Sequence, residues 1–145
     1  MQISDQCLAL IKRCEGLVLT TYRDIVGLET IGYGHKLNPG ERYPNGITEA
    51  QANSLLASDI ATAEKQVLAH VHVPLSQGQF DALVSIVFNI GIGKMATSTL
   101  FKDLNSKQYD AAAEQLLRWD HAGLVEVKAL KSRREAEYKL WHSAN

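Results

Sequence analysis

The sequence predicts an α+β fold, with a small antiparallel sheet near the N-terminus and a body of helices after it. Three observations carry this expectation. The chain has 145 residues, 46% hydrophobic and 21% charged, which suffices for one sizeable core and leaves little room for two. Between Leu17 and His35, short β-branched and aromatic runs are broken by glycine, the pattern of short strands and tight turns. On both sides of that stretch apolar residues recur at helical spacing, and hydroxyl residues stand where helix caps belong.

The first helix is announced by Ser4, suited to cap the first turn, with Ile3 and Leu8 as a hydrophobic staple across it. Cys7, Leu8, Leu10, Ile11 and Cys14 follow helical spacing, and Gly16 is expected to close the helix in a left-handed conformation, leaving Glu15 in its last turn. The runs after Gly16 suit two or three short strands, with turns near Asp24 to Gly27 and at Gly32 or Gly34. Residues 36–46 hold two prolines, two glycines and two asparagines, so they should form a loop. Thr48 with Gln51 is a capping box opening a long helix that Pro74 should end. Ser76 with Gln79 is a second, opening a helix whose Phe80, Leu83, Val84, Val87 and Phe88 make a broad apolar face. Thr97 or Ser98 starts a short helix, residues 109–119 carry another, and Ser132 with Glu135 reads as a third capping box for the terminal helix. Beyond Pro74 the pattern is helical throughout, so the sheet should be confined to the N-terminal part.

Fifteen Lys plus Arg against sixteen Asp plus Glu give a net charge of −1, without the basic bias that binding a nucleic acid requires. No apolar run approaches the roughly 18 to 20 residues that span a bilayer, and Asp5, Lys12 and Arg13 interrupt the N-terminal segment, which argues against a signal peptide or membrane anchor. Cys7 and Cys14 lie two helical turns apart, roughly 10 Å along the axis. That exceeds the roughly 7 Å limit for a disulfide, so two buried free thiols on one helix face are expected, as suits a reducing compartment.

Gly91 and Gly93 loosely match a dinucleotide fingerprint but follow a helical segment instead of a strand, so a glycine-based helix stop is the better reading. His70 and His72 lack a third ligand at metal-site spacing, and no Gly-x-Ser-x-Gly elbow anchors nucleophilic chemistry. A pair of carboxylates remains. Glu15 ends a helix, where the macrodipole disfavours its charged form and favours service as a general acid. Asp24 sits in a polar turn beside Arg23, where the charged form is favoured. Two carboxyl groups pushed in opposite directions suit the acid and base of a glycosidase, while their spacing by itself fits ordinary solvated charges as well.

The order Glu15, eight residues, Asp24, five residues, Thr30, then Ile-Gly-Tyr-Gly-His35, resembles the catalytic region of phage-type lysozymes, the T-even-like endolysins of glycoside hydrolase family 24. The resemblance continues through residues 47–59, 80–93, 98–105, 111–119 and the arginine-rich segment 130–141, nearly the full length, with Ala129 where the family usually has glycine. It implies a lysozyme-like fold: a sheet lobe of about residues 15–60 and a helical lobe of about residues 61–145 together with helix 4–15, joined by the long helix. It further implies Glu15 as general acid, Asp24 as the carboxylate that positions water and faces the oxocarbenium-like centre, and Thr30 as a residue holding that water. His35 would pair with Asp59 and brace the sheet, and Arg133, in preference to Arg134, would approach Glu15. Tyr22, Tyr33 and Asn89 can line a sugar cleft, whereas Trp119 suits the core.

The activity implied is hydrolysis of the β-1,4 bond between N-acetylmuramic acid and N-acetylglucosamine in peptidoglycan, for host lysis. No metal or organic cofactor is expected. The glycan strands of the wall are the expected partner, and the protein should act as a monomer. It would wait in the host cytoplasm and reach the periplasm and wall through a holin-type membrane pore. The competing readings are a lytic transglycosylase and a non-catalytic peptidoglycan-binding module on the same fold.

Overall fold

The computed structural model describes residues 1–122 and 124–143. Helix α1 spans Asp5–Glu15, and Ser4 caps it by accepting from the Cys7 backbone N–H at 3.2 Å. The same hydroxyl donates to Asp81 Oδ2 at 2.5 Å, so the cap also ties α1 to the middle of the molecule. Gly16 closes the helix at φ 70°, ψ 165°. The positive φ was expected, but the extended ψ belongs to a region open essentially to glycine alone rather than to the left-handed helical turn. The chain therefore leaves α1 extended and runs directly into the sheet.

Strands β1 (Val18–Arg23), β2 (Glu29–Gly32) and β3 (His35–Lys36) form an antiparallel sheet in that order. Tyr22 pairs with Thr30, Thr30 with Lys36, and Ile31 with His35, while the register shifts between Val18 and Tyr22. Period-two alternation along β2 and β3 turns Ile31 into the core.

Helix α2 (Glu49–His70) opens with the capping box of Thr48 and Gln51 and buries Ala52, Leu56, Ile60, Ala63 and Val67, one stripe at steps of three and four. It ends at His70, before the expected stop. Val71 is already extended, and the residue before Pro74 is disfavoured in helix by the proline ring. Helix α3 (Gln77–Ile90) follows its own capping box and is buried continuously from Phe80 to Val87, the mark of a helix enclosed on all sides. Helices α1, α2, the short α4 (Ile92–Met95) and α7 (Lys128–Trp141) pack against it, while α5 (Thr99–Asn105, capped by Ser98) and α6 (Tyr109–Leu116) pair with each other and α6 rests on α7. A side chain at Gly78 of α3 would run into the Leu140 carbonyl of α7, so glycine permits this close approach.

Three expectations are corrected. The helical region contains a second antiparallel hairpin, β4 (His121–Ala122) and β5 (Val125–Glu126), too short to leave a periodic signal. Ser132 does not cap α7, because the good helix formers Lys128, Ala129, Leu130 and Lys131 carry the helix back to Lys128 and place Ser132 in its interior. Cys7 is buried, its Sγ 3.3 Å from the Asp81 carbonyl oxygen, and burial pushes its thiol up. Cys14 is a free thiol too, but exposed, because burial along α1 stops at Ile11.

Candidate active site

Three elements converge on Glu15. The residue ends α1, and its carboxyl group occupies the space that a side chain at Gly34 would need, so the turn between β2 and β3 forms its floor. Gly34 has φ 75°, which favours glycine on backbone grounds as well. From α7, Arg133 Nη1 donates to Glu15 Oε2 at 2.6 Å. Arg133 is therefore the terminal-helix arginine that reaches this carboxyl group, and it is buried.

Behind Arg133 lies a buried ionic network that the sequence reading missed. Glu137, 0% exposed, accepts from Ser85 Oγ at 2.5 Å and from Arg134 Nη2 at 3.0 Å, while Arg133 Nε stands 3.5 Å from it. Arg134 Nε and Glu137 Oε1 lie 2.6 Å apart but make no well-directed hydrogen bond, so charge more than geometry holds that contact. Burial pushes the Glu137 carboxyl up, against the pull of Arg134 and Arg133. Arg134 also donates to Asn89 Oδ1 at 2.8 Å. The spacing of Arg133, Arg134 and Glu137, three and four residues apart on one helix, was the available signal.

Asp24 opens the turn between β1 and β2. Its Oδ1 accepts from the backbone N–H groups of Val26 and Leu28 at 3.0 and 2.8 Å, and its Oδ2 accepts from Lys36 Nζ at 2.5 Å. The hydrogen bond from Lys36, followed by that from Leu28, holds its carboxyl below the usual range, so the charged form is favoured as expected. The partner is corrected, however. Arg23 turns to the Gly27 carbonyl at 2.9 Å and to Glu29 at 3.7 Å, because alternation along β1 sends it to another face. Thr30, expected to hold a water, is fully buried and donates its hydroxyl proton to the Leu28 carbonyl at 2.9 Å.

His35 Nδ1 lies 2.8 Å from Asp59 Oδ2, joining β3 to α2. Its Nε2 lies 3.0 and 3.1 Å from the two oxygens of Glu41, a partner absent from the sequence reading, and Tyr43 donates to Glu41 at 2.6 Å. Burial pulls the imidazole down, but Asp59 and Glu41 outweigh it and hold it above its usual value. Glu41 is held at about 2, its desolvation outweighed by Tyr43, the Asn38 backbone and His35.

A hollow of about 460 Å³ lies beside these groups, between β3, α2 and α3, with Gly34, Lys36, Asp59, Thr62, Gln66 and Phe88 in its walls. A hollow of about 750 Å³ on the sheet lobe, bordered by Thr20, Glu29 and Arg42, touches neither Glu15 nor Asp24. Tyr33 is buried under Lys12, whose Nζ stands 5.4 Å from the ring centroid, and Trp119 is half-buried against the core. His70 and His72 are exposed at the end of α2, and among the described residues no three His, Cys, Asp or Glu side chains are grouped to hold a metal ion.

A small sheet and a helical body that meet at a carboxyl-bearing helix end define a lysozyme-type glycoside hydrolase. The chain belongs to the phage lysozyme family, whose model matches residues 12–137. It is 41% identical over 150 residues to the endolysin of Acyrthosiphon pisum secondary endosymbiont phage 1, covering 99% of this chain and 100% of the relative. It is equally 41% identical over 147 residues to the endolysin of Salmonella phage P22, covering 99% of each. Among solved structures, the muramidase domain of SpmX from Asticaccaulis excentricus superposes with a TM-score of 0.89 at 34% identity, covering 98% of each chain. These similarities establish the family without assigning the chain to its T-even-like branch. Among the described residues no helix is long and apolar enough to cross a membrane.

Proposed function

We propose that this protein is an endolysin muramidase that hydrolyses the β-1,4 bond between N-acetylmuramic acid and N-acetylglucosamine, with Glu15 as general acid and Asp24 as the opposing carboxylate. The observation that carries the reading is the seat of Glu15, held by the buried Arg133 against Gly34, itself a wall residue of the smaller hollow. Cleaving a sugar acetal needs a proton for the leaving oxygen and a negative group facing the developing positive charge. Glu15 delivers the proton, and Arg133 stabilises the anion that remains. Asp24, kept ionised by its turn and by Lys36, receives a proton from the attacking water and faces the oxocarbenium-like centre. Thr30 is buried, with its proton committed to Leu28 and Lys36 Nζ 3.4 Å from its oxygen, so its part is to support the Asp24 side of the site.

In this reading the substrate is the glycan strand of the wall and the enzyme acts as a monomer. It passes from the host cytoplasm to the wall through a holin-type pore, the route that its likeness to endolysins suggests. Turbidity clearance of outer-membrane-stripped cells tests the catalytic assignment. Glu15→Gln keeps the shape of the carboxyl group but carries no proton to deliver, so clearance should all but vanish in a variant that still folds. Substantial clearance by folded Glu15→Gln removes Glu15 from the role. Products ending in 1,6-anhydromuramic acid would replace hydrolysis with transglycosylation.

A further inference from the structure

The chemistry above assigns Lys36 no step, yet its ammonium stands at the centre of the sheet-side half of the site. β3 places it directly opposite Thr30 on β2, and its Nζ reaches both Asp24 Oδ2, at 2.5 Å, and Thr30 Oγ1, at 3.4 Å. The turn after β1 fixes only one Asp24 oxygen, through the Val26 and Leu28 N–H groups. Among the described residues Lys36 is the side chain that fixes the other. Arg23 on β1 and Glu29 on β2 pair with each other on the opposite face of the sheet, which leaves Asp24 to Lys36.

We propose that Lys36 is a positioning residue for the reaction, its ammonium bridging Asp24 and Thr30 so that the Asp24 carboxylate stays aimed at the sugar and usable in acidic medium. The proposal rests on the role given to Asp24 above. Each carboxylate oxygen has two lone pairs, so Oδ2 accepts from Lys36 and from a water at the same time. The ammonium has a cost as well as a benefit. A cation beside the carboxylate favours its anion, which widens the acidic working range, but it also makes that anion a weaker base for water. The lowered Asp24 carboxyl agrees with this arrangement. Lys36 is half exposed, so replacing it opens no cavity in the core.

The test measures kcat and KM on soluble peptidoglycan fragments from acidic to neutral pH for the wild type, Lys36→Met, Lys36→Gln and Lys36→Arg. The acid limb of kcat should move to higher pH in both uncharged variants, with the fold-loss greatest in acid and shrinking toward neutrality, while KM stays close to wild type. Lys36→Arg should retain the wild-type limb, because it restores the cation. Superimposed profiles for the wild type and the uncharged variants would overturn the proposal, as would an arginine variant displaced as far as methionine. Asp24→Asn separates the two levels of the argument. If it is inactive while the Lys36 profiles do not move, Lys36 alone loses its role; if it is fully active, the reading of Asp24 falls and Lys36 falls with it.

Discussion

Removing the charge of Glu137 is the most demanding perturbation of the ground on which Glu15 rests. Glu137→Gln removes one negative charge from beside two arginines, where Arg134 is 0% and Arg133 5% exposed. With an effective dielectric of about 20, each guanidinium–carboxylate attraction at roughly 4 Å between charge centres is worth about 4 kcal/mol. Two such attractions are lost, and the relieved desolvation of Glu137 returns several kcal/mol. The balance matches the roughly 3–5 kcal/mol typical of breaking a buried pair from one side. For a chain of this size that corresponds to a fall in Tm of roughly 10 °C, readable by calorimetry or circular dichroism. The double variant Arg134→Met with Glu137→Leu removes one charge of each sign and puts apolar groups of similar size in their place, so it should recover much of the loss. A Glu137→Gln protein within about 1 kcal/mol of wild type would show that Glu137 does not neutralise the arginines, and the argument would fail.

Gly34→Ala should cost about 1–2 kcal/mol for its positive φ and, more tellingly, abolish clearance by displacing the Glu15 carboxyl group; an active, stable variant would contradict the seat described for Glu15. His35→Ala should lower Tm with little change in turnover, and the pH dependence of that loss has a definite sign. His35 is raised on folding, so its contribution is full below its ordinary 6.5 and disappears as pH rises through the folded value. Glu41 is lowered to about 2, so its contribution is full above its ordinary 4.5 and disappears as pH falls toward 2. The Tm gap between wild type and His35→Ala should be widest between 4.5 and 6.5 and close on either side, and a gap independent of pH would discard the ionic account. If water attacks directly, NMR recorded before mutarotation should show the α-anomer first from a β-linked strand, whereas a β-anomer first would recast Asp24 as a covalent nucleophile.

Local signals survived folding where their cause was local. Ser4, Thr48, Ser76 and Ser98 cap helices because a hydroxyl and a nearby backbone N–H need no distant partner. The same reasoning misled at Ser132, where the helix propensity of residues 128–131 prevailed over a cap signature. The hairpin of β4 and β5 spans too few residues for periodicity to register. Cys14 shows the limit of face arguments, since a helix face is buried only as far as its neighbours extend.

The sequence by itself determined the α+β class, the place of the sheet, the seats of Glu15 at a helix end and Asp24 in a turn, and the candidate pairing of His35 with Asp59. The first three follow from spacing, capping and turn chemistry over short stretches of chain, whereas the pairing of His35 with Asp59 came only from the family resemblance. Only the tertiary structure decided what surrounds those groups. The family resemblance pointed to Arg133 near Glu15, but the contact itself spans 118 positions, Ser85 reaches Glu137 across 52, and Lys36 displaces the neighbouring Arg23 as partner of Asp24 through strand register. The physical reason is that charge acts through distance in space and is strengthened by burial, and neither quantity is written along the chain.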